Sequence, residues 1–229
     1  MAYKYDFIEY MIMHKALKFG EFTTKSGRLS PYFINTGEFR TGSQIARLGE
    51  FYADCIVDQM EKGLISKDVN VIFGPAYKGI PLAVSTSIAL CSKHGMDIGY
   101  CFNRKEAKDH GEGGNFVGAK LCDGDKVLIL DDVITAGTAI REILPIVKAA
   151  ADVTICGMLI SVDRMERGQG ELSAVAEITR EFDIPVFPIV NVLEIIEMLK
   201  GREINGEIVF TNDNKEAMDA YLEQYGATK

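Results

Sequence analysis

Short apolar runs alternate with helix-like patterns from residue 69 to residue 200, and this alternation constrains the fold more than any other feature. Strands are predicted over residues 69–73, 98–102, 126–131, 153–162 and 186–190. Helices are predicted over residues 80–93, 139–150, 171–182 and 191–200. A strand–helix–strand rhythm favours a mostly parallel sheet flanked by helices. We therefore expect an α/β fold.

The flanking regions carry weaker signals. Apolar residues at helical spacing predict helices over 4–18 and 43–61, and two short strands are expected within 21–37, around Ser26-Gly27 and Ser30-Pro31. Residues 104–119 are polar and rich in glycine, without an apolar period. The tail after residue 200 predicts a strand at Ile208–Phe210 and an amphipathic last helix, which we expect to be peripheral. The length suits one domain over residues 1–229.

Composition excludes several classes of function. The net charge of −8 argues against a broad nucleic-acid surface. No apolar run is long enough to span a membrane, and the first residues lack the apolar core of a signal peptide. The five cysteines are odd in number and show no Cys-x-x-Cys spacing, which indicates a reducing compartment and a cytoplasmic protein.

The segment from Val127 to Ala139 joins an apolar strand to a helix through Asp131, Asp132 and a loop of small residues. In open parallel sheets, ligands bind just beyond the carboxyl ends of the strands. A small-residue loop at a helix N-terminus presents N–H groups to an anion, and adjacent carboxylates suit ribose hydroxyls or a hard metal ion. The alternative is an ordinary turn in which an aspartate caps the helix.

A second strand end carries Gly74-Pro-Ala-Tyr-Lys-Gly-Ile-Pro81. Its glycines would let the backbone approach an anion, and Lys78 adds a point charge. Taken alone, such a loop is more often just a turn. Two anion-binding loops at one sheet edge would suit a ribose phosphate that carries a diphosphate.

A third segment, Phe102 to Gly114, concentrates cations in an acidic chain. It contains Arg104, Lys105, Lys108 and His110. Most charge runs are simply solvated, but long irregular loops in compact domains are often functional lids. A mobile cationic lid over residues 104–118 would stabilise charge that develops on a leaving diphosphate.

Two further segments combine cations with other groups. Lys25 to Ile34 pairs cations with aromatic residues and could cover a flat ring, or could form a hairpin with a core Phe33. Arg164 follows a predicted strand and could hold a carboxylate in a bidentate manner, or could form a surface salt bridge with Glu166.

Residues 131–138 resemble the 5-phosphoribosyl 1-diphosphate (PRPP) binding motif of the type I phosphoribosyltransferases. Together with Lys25-Ser-Gly-Arg-x-Ser-Pro-Tyr-Phe, the 74–81 loop, the 102–114 lid and Asp163-Arg-x-Glu-Arg-Gly, the chain resembles the orotate phosphoribosyltransferases over about residues 5–195. The resemblance implies the type I fold, with a helix and small hood over 1–40 and a core over 60–195. The tail over 200–229 falls outside the pattern and receives no function.

The resemblance also implies roles for individual residues. PRPP would be bound by Lys25, Tyr77, Lys78, Arg104, Lys105, Lys108, His110, Asp131, Asp132, Val133, Ile134, Thr135, Ala136, Gly137, Thr138 and Ala139. The catalytic residues would be Arg104, Lys105, Lys108, His110, Asp131 and Asp132. Orotate would be bound by Phe33, Ile34, Thr135 and Arg164. The family commonly has a second aromatic residue where this chain has Ile34, so ring stacking would be weaker.

The implied reaction joins orotate and PRPP to give orotidine 5′-monophosphate and diphosphate. The cofactor would be Mg²⁺, held mainly through PRPP rather than by direct protein ligands, and the assembly would be a homodimer that shares the lid between subunits. Two alternatives remain, which are a transferase for another base, such as a purine, and a PRPP-sensing regulator without activity. The lid and Arg164 argue against the first, because a purine carries no carboxylate. An intact lid without a nucleic-acid surface argues against the second.

Overall fold

The computed structural model describes residues 2–24, 27–105, 115–134, 137–168 and 170–227. The helices are α1 (Ala2–Met13), α2 (Gly42–Glu61), α3 (Gly79–His94), α4 (Thr138–Ala150), α5 (Ala174–Phe182), α6 (Val192–Leu199) and α7 (Asn212–Tyr225). The strands are β1 (Leu17–Thr23), β2 (Leu29–Ile34), β3 (Val71–Phe73), β4 (Gly99–Asn103), β5 (Phe116–Gly118), β6 (Lys126–Leu130), β7 (Thr154–Asp163), β8 (Val186–Asn191), β9 (Glu203–Ile204) and β10 (Glu207–Ile208). A short 3₁₀ helix spans Thr36–Glu38.

A six-stranded sheet in the order β5-β4-β3-β6-β7-β8 forms the centre of the fold. The predicted α/β architecture is confirmed, because β4, β3, β6, β7 and β8 all run parallel to their neighbours. The chain leaves β3 towards β4 on one side, whereas β6 lies on the other side. A crevice opens where connections diverge in this way, and ligands bind there in open α/β sheets.

The register brings three strand ends to the same edge of the sheet. Phe73 of β3 lies opposite Ile129 of β6, and Ile129 lies opposite Met158 of β7. Consequently the loops that follow β3 and β6 begin side by side, whereas β7 continues from Leu159, opposite Leu130, to Asp163 before its loop begins.

Alternate residues of the central strands enter two separate cores. Ile72 and Leu128 belong to a larger core that includes residues of α1, α2, α6 and α7. Phe73 and Ile129 belong to a smaller core with residues of α4 and α5. Burial on both faces explains the nearly continuous apolar runs in these strands.

The N-terminal hood is a hairpin in which β1 pairs with β2, from Leu17 opposite Ile34 to Thr23 opposite Leu29. The predicted helix over 4–18 was too long, and the strand predicted around residues 26–27 was placed too late, whereas the strand predicted around residues 30–31 is confirmed by β2. Lys15, with φ of 60°, ends the helical path after α1. The apolar residues that follow serve the hairpin instead, because strand pairing with β2 decides their conformation.

Two other boundaries differ from the prediction. The region 104–119, expected to lack regular structure, contains the antiparallel edge strand β5, in which Phe116 pairs with Asn103 of β4. Helix α5 starts at Ala174 rather than residue 171, because the side chain of Ser173 accepts a hydrogen bond from the N–H of Ala176 and caps the helix.

The tail after residue 200 is part of the core, so the expectation that it is peripheral was wrong. Phe210, Met218 and Tyr221 are at most 5% exposed and join the larger core. Of the predicted strand at Ile208–Phe210, only Ile208 pairs, opposite Glu203 in the small β9–β10 hairpin. The amphipathic last helix is confirmed as α7.

Within the described residues, no helix is both long and apolar enough to cross a membrane. All five cysteines are free thiols. Burial raises the pKa of Cys55 to about 11 and that of Cys101 to about 12, as expected for cysteines that serve as apolar core residues.

Candidate active site

Asp131 and Asp132 lie at the carboxyl end of β6, and their backbone is fixed by neighbouring elements. The N–H of Asp131 donates to the carbonyl oxygen of Leu159 at 3.0 Å. The carbonyl oxygen of Asp132 accepts from the N–H of Ser161 at 2.8 Å and from its hydroxyl at 2.5 Å. The hydroxyl of Tyr52, in α2, donates to the carbonyl oxygen of Asp131 at 2.8 Å. The two carboxylates are therefore held on rigid backbone.

The carboxylates do not cap α4, so the capping alternative is wrong. Oδ1 of Asp131 accepts from the N–H of Asp132, and Oδ1 of Asp132 accepts from the N–H of Val133, both at 2.8 Å. The N-cap residue of α4 is Gly137, which has no side chain to serve as a cap.

The electrostatic environment of Asp131 is unusual. Burial, and then the negative charge of Asp132 beside it, raise the pKa of the Asp131 carboxyl to about 7. The ionised form of such a carboxyl is stabilised by any cation or hydroxyl that binds to it. This pair can therefore receive a ribose or a metal-bound ligand.

The small-residue loop after the acidic pair turns sharply at Gly137, whose φ is +69°. A Cβ at this position would lie 2.6 Å from Cδ1 of Ile178, so only glycine fits. Val133 and Ile134 are half-buried, and Thr138 and Ala139 are exposed at the start of α4. Thr135 and Ala136 lie outside the described residues.

The helices that begin beside the crevice lack side-chain caps, whereas other helices have them. The side chains of Thr41, Ser173, Asn191 and Thr211 cap α2, α5, α6 and α7. The N-cap residues of α3 and α4 are Lys78 and Gly137, and neither provides a side-chain cap bond. At α3 the N–H groups of Gly79 and Ile80 donate to the carbonyl oxygens of Pro75 and Tyr77, and Pro81 has no N–H. At α4 the N–H groups of Thr138 and Ala139 make no hydrogen bond within the described residues, so they are available to an anion at the positive end of the helix dipole.

The loop after β3 folds tightly against the start of α3. A Cβ on Gly74 would lie 2.1 Å from the carbonyl oxygen of Gly79, so these glycines allow the loop to pack on itself. Their predicted role in letting the backbone approach an anion stays a prediction. The N–H of Ala76 donates to Oδ1 of Asn103 at 2.8 Å and ties the loop to β4.

This packing leaves the Tyr77 side chain 71% exposed at the crevice. Beside it, Nζ of Lys78 reaches Oδ2 of Asp132 at 2.5 Å. Thr36, just after the hood, donates to the same carboxylate oxygen at 3.2 Å. The first two predicted loops therefore meet, as expected from their adjacent strands.

The structure describes only the start of the predicted lid. The N–H of Arg104 donates to the carbonyl oxygen of Asn115 at 2.6 Å, which closes the two ends of the lid. Nε of Arg104 is buried and has no hydrogen-bond partner within the described part of the chain. Nζ of Lys105 lies 5.8 Å from the ring centroid of Tyr77. Lys108 and His110 lie outside the described residues.

Arg164 is largely buried at the carboxyl end of β7. Its Nε and Nη2 donate to Oε1 of Glu166 at 2.9 and 2.7 Å, and its guanidinium carbon lies 4.4 Å from the ring centroid of Tyr32. The pair with Glu166 is real, but it is not at the surface, because the two side chains are only 17% and 14% exposed. The arginine fork is therefore held in a defined orientation.

The hood presents Phe33 rather than burying it. Phe33 is 39% exposed and stacks on Phe22, with ring centroids 5.4 Å apart. The core position in this strand belongs to Tyr32, so the alternative of a core Phe33 was wrong. Ile34 is half-buried beside the larger core, and Lys25 lies outside the described residues.

Several supporting residues were missed at the sequence level. They are Tyr32, Thr36, Tyr52 and Ser161. Strand alternation could have found Tyr32, since an exposed Phe33 requires its neighbour to face inward. The others carry no local signal, because their partners lie far away in the sequence.

The donor set at Asp131 and Asp132 fits a magnesium–diphosphate ligand. Carboxylate oxygens suit Mg²⁺, which keeps several waters and often binds through one or two carboxylates together with substrate phosphates. The described residues contain no group of three or more His, Cys, Asp or Glu side chains arranged for a metal.

Comparison with known proteins agrees with this geometry. The phosphoribosyl transferase domain family matches residues 37–190. Orotate phosphoribosyltransferase from Clostridium beijerinckii is 55% identical over 226 residues, covering 99% of each chain. The enzyme of that name from Bifidobacterium adolescentis is 57% identical, covering 96% of each chain. These matches include the tail, which the sequence pattern had left outside.

A solved structure agrees as well. The crystal structure of orotate phosphoribosyltransferase from Francisella tularensis has a TM-score of 0.82 and 39% identity, covering 97% of this chain and 100% of that one. The chain therefore belongs to the orotate phosphoribosyltransferase family and has the type I phosphoribosyltransferase fold.

Proposed function

We propose that this enzyme transfers the 5-phosphoribosyl group of PRPP to orotate, giving orotidine 5′-monophosphate and diphosphate in pyrimidine synthesis. One observation carries the proposal. The uncapped N-terminus of α4 and a pair of fixed carboxylates meet beside Lys78 of the adjacent loop, with a buried arginine at the next strand end. This arrangement suits a doubly phosphorylated sugar beside an anionic base.

The start of α4 would hold the 5-phosphate. The N–H groups of Gly137, Thr138 and Ala139 lie at the positive end of the helix dipole. Asp131 and Asp132 would accept hydrogen bonds from the ribose hydroxyls, while the Val133–Ala136 segment, including Thr135, completes the loop.

The diphosphate would lie between the loop after β3 and the lid. Lys78 sits at the N-terminus of α3, where a cation is unfavourable unless an anion is present. Tyr77 borders the same space, and the proposed lid residues are Arg104, Lys105, Lys108 and His110, with Lys25 from the hood loop. These cations would neutralise the charge that develops on the diphosphate as it leaves.

Orotate would lie between the hood and Arg164. Phe33 and Ile34 would lie along the ring, and Thr135 would bind its polar groups. Nη1 of Arg164 makes no hydrogen bond to any residue that the structure describes, so it remains available to the orotate carboxylate. Arg28 and Arg164 share the single carboxylate of Glu166, which leaves this group of three with a net positive charge suited to an anion.

The chemistry would require little acid–base assistance. The bond from C1 of the ribose to the diphosphate oxygen breaks, and a bond from C1 to the ring nitrogen of orotate forms. The charge of orotate resides on its carboxylate, so the ring nitrogen loses its proton as the new bond forms. The departing diphosphate can accept this proton, so no strong base from the chain is required. When bound, Mg²⁺ would supply positive charge to the phosphate oxygens. The residues of the chain would act mainly by positioning the reactants and stabilising the leaving group.

We also propose a cytoplasmic homodimer in which the lid is shared between subunits. Five free thiols suit a reducing compartment. The partners would be orotate and PRPP rather than nucleic acid or a membrane, since the net charge is −8.

Diphosphate release from Mg–PRPP tests the proposal when orotate, uracil and hypoxanthine are compared as acceptors. Release with orotate alone is expected. Release with hypoxanthine would indicate a purine transferase, and no release with any base would indicate a non-enzymatic PRPP-binding protein.

A further inference from the structure

The end of the tail lies against the loop that carries Arg164. The N–H of Arg167 donates to the carbonyl oxygen of Tyr225, and the N–H of Ala227 donates to that of Met165, both at 2.9 Å. Glu166 and Gly226 form an antiparallel bridge between these bonds. The chain after α7 therefore forms a short strand-like pairing with residues 165–167.

This pairing supports an unusual backbone conformation next to Arg164. Met165 has φ of 52°, in the left-handed region that side chains other than glycine rarely adopt. Such conformations persist only where the surroundings hold them. Here the N–H of Met165 donates to Oδ1 of Asp163 at 2.8 Å, and its carbonyl oxygen accepts from Ala227.

The side chains of α7 continue the support. Tyr221 is 5% exposed, and its ring lies perpendicular to that of Tyr32, at 88° and with centroids 6.2 Å apart. The other partners of Tyr32 are the guanidinium of Arg164 over its ring and Glu166, whose Oε1 accepts from its hydroxyl at 2.9 Å. Displacing the Tyr221 ring would free Tyr32, and with it the arginine.

The hydroxyl of Tyr221 lies beside Arg164 and Ser30. It is buried and makes no hydrogen bond of good geometry within the residues that the structure describes. Burial, and then the charge of Glu166, raise the pKa of Tyr221, so the hydroxyl stays neutral. The defined contact of Tyr221 with Tyr32 is therefore made by its ring.

We propose that α7 and the residues after it form a positioning element for the base site, in which the ring of Tyr221 and the N–H of Ala227 hold Arg164 in its binding orientation. Tyr221 is thus a positioning residue that acts through Tyr32 and Arg164. The inference rests on the proposed function, because it assigns Arg164 to the orotate carboxylate.

Two substitutions of Tyr221 distinguish the contribution of its ring from that of its hydroxyl. Tyr221→Leu should raise KM for orotate about tenfold, equivalent to about 1.4 kcal/mol, since a long arginine side chain loses its fixed orientation. KM for PRPP and kcat should stay within about twofold, because the described ring contacts of Tyr221 are with Tyr32 and Tyr225. Tyr221→Phe, which keeps the ring, should restore the wild-type KM for orotate.

Phe210→Leu is the matched control for general loosening of the tail. Phe210 is also buried in the tail, at 3% exposure, but it packs on Phe19, with ring centroids 4.9 Å apart, rather than on the Arg164 loop. It should leave both KM values unchanged. Thermal unfolding of each variant confirms that the fold is retained.

A backbone variant keeps the test decisive if Tyr221→Leu does not fold. Ala227→Pro removes only the N–H that bonds to Met165, and Gly226 already has φ of −62° and ψ of 145°, which a following proline accepts. Ala227→Pro should raise KM for orotate about fivefold, as for one lost hydrogen bond. Ala227→Ser, which keeps the N–H, should behave as the wild type.

Arg164→Ala distinguishes the base-binding role of Arg164 from the positioning role of the tail. If Arg164→Ala raises KM for orotate while Tyr221→Leu and Ala227→Pro leave it unchanged, the positioning role of the tail is wrong and the function of Arg164 stands. If Arg164→Ala itself has no effect on orotate, the base role of Arg164 and the positioning role both fail. In an Arg164→Ala background, Tyr221→Leu should add no further increase, and an additive increase would overturn action through Arg164.

Discussion

The ammonium of Lys78 lies 2.5 Å from Oδ2 of Asp132, so an ion pair joins the loop after β3 to the loop after β6. The lysine side chain is 61% exposed and the aspartate side chain 9% exposed. Arrival of Mg–PRPP would exchange this contact, since the lysine would turn to the diphosphate and the carboxylate to the ligand's hydroxyls or metal.

Asp131→Asn together with Asp132→Asn should weaken Mg–PRPP binding about 10- to 100-fold while the fold stays intact, since charge-assisted hydrogen bonds to the ligand are lost. Asparagine retains an oxygen that can accept the backbone N–H groups now bound to the carboxylates. Calorimetric titration with Mg–PRPP measures the effect. Asp54→Asn, which removes a carboxylate paired with Lys93 away from the crevice, is the control. Unchanged affinity in a folded double variant would contradict the assignment.

The raised pKa of Asp131 predicts a pH-dependent stability. The folded pKa is about 7, whereas an unfolded aspartate titrates near about 3.9, so the native state binds more protons between these values. The stabilising contribution of the protonated carboxyl is complete below the unfolded pKa and is lost as pH rises through the folded pKa. Asp131→Asn removes this loss.

As the pH rises from 5 to 8, the free energy of unfolding of Asp131→Asn should therefore increase relative to that of the wild type by on the order of 2 kcal/mol. Urea unfolding at the two pH values provides the measurement. The same difference between variant and wild type at both values would show that Asp131 ionises normally.

Arg164→Ala should reduce kcat/KM for orotate, with a loss of transition-state stabilisation of about 2–4 kcal/mol, because a charge-assisted bidentate contact is lost. PRPP affinity should change little. Arg202→Ala is a matched control, since Arg202 also lies 4.4 Å from a tyrosine ring centroid, that of Tyr5, and is exposed. An equal fall in PRPP affinity would mean that Arg164 does not recognise the base.

Lys105→Ala should reduce turnover far more than stability. Lys105 is exposed and its described ring contact is with the exposed Tyr77, so the free energy of unfolding should change by no more than about 0.5 kcal/mol. If its ammonium meets the diphosphate only when the lid closes, it stabilises the transition state more than the free enzyme. Lys120→Ala, an exposed lysine just beyond the lid, should leave kcat unchanged.

Mixed dimers test the shared lid. Subunits with Lys108→Ala are combined with subunits carrying the Asp131 and Asp132 double change. If Lys108 serves the partner's site, each mixed dimer has one intact site and activity returns. Lys105 lies over Tyr77 of its own chain, so Lys105→Ala subunits should show no such recovery. Mass-tagged chains verify subunit exchange, and a failure of Lys108→Ala to recover despite exchange would rule out sharing through that residue.

The sequence by itself determined the central architecture and the position of the ligand loops. The alternation of apolar runs with helical periods is a local property of the chain, so the pattern from residue 69 to residue 200 predicted the parallel sheet. The acidic pair after β6 predicted one side of the crevice. The motif resemblance added the identity of the ligands. Cap geometry then supported the anion site at α4.

Only the tertiary structure decided how the base end is built. The contact between Tyr32 and Tyr221 joins residues 189 positions apart in the chain, and no period along the chain predicts it. Likewise, the pairing of β1 with β2 converted the end of a predicted helix into a strand. The tail looked peripheral because its polar face dominates its composition, yet its few apolar residues complete the core beside Arg164. Burial depends on what the rest of the chain places opposite a residue, and that information exists only in three dimensions.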